Sequence, residues 1–119
     1  MTLINDRTRE AVAVSVELAH TRRERRKGLL GRESLPPENA MVLSPCNGVH
    51  TVGMAFAIDV VFVNAEGYAV QVIHEMRPWR FAVSLKASSV IELAGGRLKT
   101  CPVQIGDRLR LVANGQAVC

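Results

Sequence analysis

Hydrophobic and polar positions alternate over short stretches through most of this chain. Val12, Val14, Val16 and Leu18 interleave with Ala11, Ala13, Ser15 and Glu17, a period of two rich in β-branched residues. That pattern predicts one strand over 11–19 with a buried face. Ala40 to Leu43 predicts a short apolar strand, and Met54 to Val63 a longer one. The longer run places Met54, Phe56, Ile58, Val60 and Phe62 on a core face, and Ala55, Ala57, Asp59, Val61 and Val63 on the other. Asn64 to Gly67 reads as a turn, with Tyr68 to Ile73 as the hairpin partner. Ser89 to Leu93 is another strand, closed by Gly95-Gly96. Gly106-Asp107 turns into Arg108 to Val112, and Asn114-Gly115 is a further hairpin signal.

One segment breaks this period. In Thr21-Arg22-Arg23-Glu24 the hydroxyl can accept from the Glu24 amide while the Glu24 carboxylate reaches back to the Thr21 amide. This capping box predicts a helix over 22–30, with Leu29 and Leu30 turned inward and Gly31 available to end it. Pro36-Pro37 forces an extended connection. Ser44 to Gly53, with Pro45, Asn47 and two glycines, reads as a loop, and Pro78-Trp79 begins an irregular crossing. About seven short strands with turns every ~8–12 residues and one short helix predict a single, mainly β domain, an antiparallel sandwich or barrel-like fold.

Composition narrows the classes of function. With 119 residues, 48% hydrophobic and 22% charged, the chain has the make-up of a folded domain and not of a disordered segment. The net charge of +4 biases encounters toward anions without the dense one-sided charge of a nucleic-acid binder. Cys46, Cys101 and Cys119 form no paired framework and no zinc-finger spacing, although a Cys46–Cys101 bridge is open to an exported protein. The apolar stretch Ala11 to Ala19 is interrupted by Glu17 and alternates like a strand, so it does not read as a leader. Val52 to Val63 is too short to span a bilayer. A soluble cytoplasmic protein with reduced thiols and no membrane partner is expected. The five aromatics (Phe56, Phe62, Tyr68, Trp79, Phe81) all fall between 56 and 81, which marks the middle of the chain as the place for a site.

The order of motifs resembles that of the bacterial and archaeal domain-of-unknown-function family 192. The matching residues are Thr21, Glu24-Arg25, Gly28-Leu29-Leu30, Arg32, Leu35, Met41, Val49 to Met54, Ile58 to Val63, Gly67, Pro78, Val90 to Gly95 and Ile105 to Asp107. The resemblance spans roughly positions 12 to 112 and implies a mainly β domain with a short helix packed beside it. It implies no activity. Many members carry Trp-Met-Lys-Asn-Thr where this chain has Val49-His50-Thr51-Val52-Gly53-Met54, so nothing said of the tryptophan form transfers to His50. Some members resemble exported proteins, which would imply a periplasmic location.

Several residues could carry chemistry. Asp59 is an acid on an apolar strand and needs hydrogen bonds, an ion partner or a wet cleft. Its plainest role is structural; the alternative is a ligand anchor or a general base. His50 follows Cys46 by four residues, close enough to activate a thiol or to share a metal with Asp59, and His74 could join them in space. A structural loop histidine is the simpler expectation. Trp79, flanked by Arg77 and Arg80 and followed by Phe81, offers either a ring-stacking platform or a cover for the sheet edge. Glu92 alternates with Ile91 and Leu93, and would face the same side as Asp59 if their strands were neighbours. The basic run Arg22 to Lys27 spreads around the helix and lacks interleaved aromatics, so a solvated face is favoured over a nucleic-acid surface. No phosphate-binding loop, dinucleotide fingerprint, nucleophile elbow or HExxH occurs, and no cofactor is expected.

These readings converge on a binding module for a small polar, anionic or sugar-like ligand. Its expected groove holds Cys46, His50, Thr51, Asp59, Trp79, Arg80 and Glu92. One alternative is a thiol- or metal-dependent hydrolase using Cys46, His50 and Asp59, and another is a protein-interaction module using the basic helix over 22–27. Convergence of Asp59 and His50 in a pocket would favour binding or hydrolysis. A packed Asp59 beside an exposed helix would favour interaction.

Overall fold

A strand that is apolar on both faces must be covered on both sides, and this chain supplies two different covers. The computed structural model describes residues 1–113; Asn114-Gly115 and Cys119 lie outside them. In chain order the described residues form β1 (Thr2–Asn5), β2 (Ala11–Ala13), β3 (Ser15–Ala19), α1 (Arg22–Lys27), β4 (Asn39–Leu43), β5 (Gly48–His50) and β6 (Ile58–Val63). They continue as β7 (Ala69–Met76), β8 (Phe81–Val83), β9 (Ser89–Ala94), α2 (Arg97–Thr100) and β10 (Leu109–Val112). The chain is mainly β. Its central sheet runs β3-β4-β9-β6-β7, antiparallel throughout except for the parallel pair β3–β4.

Strand β6 is buried at all six positions. Val61 and Val63, with Ile91 and Leu93 of β9, meet Leu3, Val12 and Leu109 from the three-stranded sheet β10-β1-β2, and Leu98 from α2. On the opposite face Val60 and Phe62 pack with Met41, Leu43, Leu29 and Met54. Val49 and Ala82 close over that second face from the two-stranded ribbon β5–β8. The ribbon and the segment around α1 are therefore neighbours on one side of the sheet.

Several elements differ from the sequence expectation, each for a local reason. The alternating run 11–19 is two strands in two sheets. The amides of Val14 and Ser15 both donate to the Glu38 carbonyl, and the chain crosses between sheets there. The slip changes the buried phase, leaving Val14 and Leu18 exposed while Ala19 is buried. Helix α1 has the expected capping box, with reciprocal Thr21–Glu24 bonds of 3.1 Å, but stops at Lys27. Gly28, at φ +47°, ends it, so Leu29 and Leu30 enter the core from beyond the helix. Met54 to Ala57 is irregular, following a turn closed by the Met54 amide donating to the Thr51 carbonyl, so the strand begins at Ile58. The expected loop over 44–53 contains β5, and the crossing after Pro78 contains β8. Strand β1 and helix α2 had no signal in the pattern.

Candidate functional site

Glu92 is a buried carboxylate on the face of the central sheet that α1 and the ribbon cover; Glu17, on the same face at the edge strand β3, is exposed and ion-paired to Arg32. The neighbour of Glu92 across β6–β9 is Val60, whereas Asp59 pairs with Leu93. Directly opposed residues of an antiparallel pair share a face, so Glu92 and Asp59 point to opposite sides although their strands are adjacent. The expected carboxylate pair does not form.

The two acids have opposite surroundings. Asp59 is fully buried and fully bonded: Oδ1 accepts from the amides of Glu75 (2.7 Å) and Gly96 (3.1 Å), and Oδ2 from the amide of Leu98 (2.8 Å). It fixes the β7 bulge and the start of α2 in place. Glu92 is also buried, but its Oε1 has no hydrogen-bond partner among the described residues. Burial pushes the Glu92 carboxyl up to about 7, only partly opposed by the Arg32 guanidinium, which is itself ion-paired to Glu17 at 2.6 Å.

A cavity of about 60 Å³ opens at Glu92. Gly28 stands beside the orphan oxygen, where an added Cβ would lie 3.6 Å from Oε1. Leu29, Leu43 and Met54 are buried apolar walls, while half-buried Cys46 and exposed His50 lie farther out. A water needs ~10–15 Å³ by this measure, so the cavity has space for a group of a few heavy atoms and not for a whole sugar ring. Arg25, Arg26 and Lys27 of α1 also border it.

Other expected site residues lie elsewhere or are otherwise engaged. Cys46 Sγ donates to the Gly48 carbonyl at 3.0 Å, and the His50 ring tilts against Phe81 with centroids 6.2 Å apart. The thiol hydrogen bond is thus made to Gly48 and not to His50. Thr51 is buried as a pin: its hydroxyl donates to the Arg77 carbonyl (2.6 Å) and accepts from the Arg80 amide (2.9 Å). Trp79 is 64% exposed and lines no part of the Glu92 cavity. His74, Arg77 and Arg80 border a separate, shallow depression with Phe81. Cys46 and Cys101 are both free thiols, and Cys101 faces the Ala11 carbonyl, so the Cys46–Cys101 bridge is absent. No group of three His, Cys, Asp or Glu side chains among the described residues is arranged to hold a metal. None of their helices is long and apolar enough to cross a membrane.

The cavity was missed as a unit because its walls come from four separated segments. The available signal was Glu92 between two core residues, but only strand register tells which face it takes.

Comparisons with known proteins identify the fold and the family. The sequence model of domain-of-unknown-function family 192, described as "Uncharacterized ACR", matches residues 3–111. A UPF0127 protein of Pyrococcus furiosus is 37% identical over 62 residues, 51% of this chain and 53% of its own length. A UPF0127 protein of Pyrococcus abyssi is 37% identical over 65 residues, 54% of this chain and 55% of its own. The chain thus aligns with about half the length of these curated relatives. A crystal structure of a candidate transcription regulator from Sinorhizobium meliloti superposes with a TM-score of 0.80 at 23% identity, covering 92% of this chain and 89% of that one. A protein of unknown function from Novosphingobium aromaticivorans gives a TM-score of 0.80 at 21% identity, covering 92% and 82%. At these identities the two structures speak for the fold alone.

Proposed function

Starting from a chain that belongs to domain-of-unknown-function family 192, we propose that it is a binding module whose ligand presents an N–H or O–H donor to Glu92. The observation that carries this reading is the unpartnered Oε1 at a cavity beside Gly28. A buried acceptor without a donor costs about 1–3 kcal/mol, which a ligand donor recovers. The apolar walls take up a short carbon segment, and His50 and Cys46 contact whatever remains outside. A small primary amine or the hydroxyl end of a larger polar molecule fits this arrangement. A purely anionic group does not, because above neutral pH it meets the Glu92 charge.

The test is a thermal-shift series above neutral pH with small amines, amidines, alcohols and carboxylates. Amines or alcohols should raise the melting temperature of the wild type, and Glu92→Gln should abolish the amine effect. Stabilisation by carboxylates alone, or an amine effect that survives E92Q, would contradict the assignment.

The packed Asp59 and the exposed α1, which buries none of its residues, favour the basic helix as an interaction element in addition. On a heparin column Arg22→Glu/Arg26→Glu should then elute at lower salt than the wild type; unchanged elution would dismiss this second reading.

A further inference from the structure

The β5–β8 ribbon and the turns on either side of β8 carry an unusual concentration of exposed apolar side chains. Trp79 is 64% exposed, Phe81 76%, Val83 61% and Leu85 87%. Phe81 and Val83 are successive outward positions of β8, paired with His50 and Gly48, while Ala82 between them turns toward the core. Side chains this exposed protrude, although Phe81 also borders the shallow depression beside His74 and Arg80. Isolated exposed hydrophobics are ordinary, but four within seven residues mark a contact surface.

Charge specifies the other half of the contact. No Asp or Glu occurs between Glu75 and Glu92, or between Glu38 and Asp59, so both ribbon strands and their flanks are free of acids. Arg77, Arg80 and Lys86 lie in the first gap, all exposed, and no carboxylate of the described residues is ion-paired with them. Arg25, Arg26 and Lys27 border the same cavity as Gly48 and His50, which sets α1 beside the ribbon.

We propose that this ribbon is a docking surface for an anionic lipid bilayer, with Trp79, Phe81, Val83 and Leu85 entering the interface and the flanking cations meeting the headgroups. Protruding tryptophan and phenylalanine side chains suit the boundary between headgroup and acyl chain. A bilayer accepts such side chains without a matching cleft, whereas a protein partner would have to provide one. Each basic residue near an anionic surface adds to the attraction, and salt weakens it. The inference is independent of the Glu92 reading.

Trp79 is the only tryptophan, so its fluorescence reports the contact directly. With the full chain, mixed phosphatidylcholine–phosphatidylglycerol vesicles should shift its emission to the blue and carry the protein into the pellet. Pure phosphatidylcholine vesicles should do so weakly, and high salt should reduce the effect. Phe81→Ser/Leu85→Ser, at exposed positions, should weaken vesicle binding by more than about tenfold. Arg80→Glu/Lys86→Glu should remove the preference for anionic lipid. Unchanged emission with anionic vesicles overturns the proposal. So does a dimer in sedimentation velocity with Trp79 already shielded from acrylamide, which would assign the face to a second copy. An emission shift with polyglutamate but none with vesicles would assign it to an acidic protein.

Discussion

Asp59 and Glu92 are adjacent-strand carboxylates that burial treats in opposite ways. Asp59 offsets its desolvation with three backbone donors, so removing it strands those amides as well as the space it fills. Asp59→Ala should lose about 3 kcal/mol or more in urea denaturation. A loss below about 1 kcal/mol would mean that α2 and the β7 bulge hold themselves. Glu92 has no such compensation. Its folded-state value of about 7 stands above the ordinary 4.5, so the unfolded chain releases the proton first as pH rises. Stability from this group is therefore fully present below about 4.5 and declines up to about 7, by about 3 kcal/mol in total. Glu92→Gln should flatten that slope, and an unchanged slope would assign it to another group. Both acids were legible as carboxylates on apolar strands. Their partners were not, because hydrogen bonds from Glu75, Gly96 and Leu98 depend on strand register and a distant turn.

At the scale of elements, the β5–β8 ribbon owes its position to Thr51. The Thr51 amide donates to the Arg80 carbonyl, its own carbonyl accepts from Trp79, and its hydroxyl closes the remaining gap to Arg77 and Arg80. Thr51→Val should speed hydrogen exchange of the Arg80 amide and cost about 1–3 kcal/mol locally, leaving β6 amides protected. Equal acceleration in β6 would show that the ribbon and the sheet open together. The strands β4, β6 and β9 were readable as largely apolar runs bounded by turn residues, and the edge strand β7 because it follows the Asn64–Gly67 turn. The three-residue strands β5, in a segment rich in Gly, Pro and Asn, and β8, just past Pro78, carry no comparable signal, and their pairing joins residues more than thirty positions apart. Alternation over 11–19 misled for a related reason: a change of sheet at Val14 leaves no mark in a period-two pattern.

Across the whole molecule, the described chain ends are tied together by Asp107. It accepts from the Arg7 guanidinium at 2.6 Å, from the Asn5 side chain at 2.9 Å and from the Gln104 amide at 2.8 Å, joining β1 to the turn before β10. Burial would raise its pKa, but Arg7 above all, then Gln104 and Asn5, bring it down to about 2. With the folded value below the ordinary 3.8, its stabilisation is present above that pH and lost as pH falls toward 2. Acid unfolding should show a loss of about 2 kcal/mol in that window, absent in Asp107→Asn. If the asparagine variant keeps the same acid profile, the closure does not depend on the charge. The same assembly brings α1 and the ribbon together on one face of the sheet, and the Glu92 cavity lies between them. No single stretch of sequence contains that arrangement.

If Glu92 accepts from a ligand donor, an NMR titration of its side-chain carboxyl with and without a small primary amine will register it. Alone, the midpoint should lie near 7; with amine it should move down, with the Gly28 and Gly48 amides shifting in step. A midpoint in the ordinary carboxylate range, or one near 7 that no donor ligand moves, would mean that Glu92 is not a ligand acceptor.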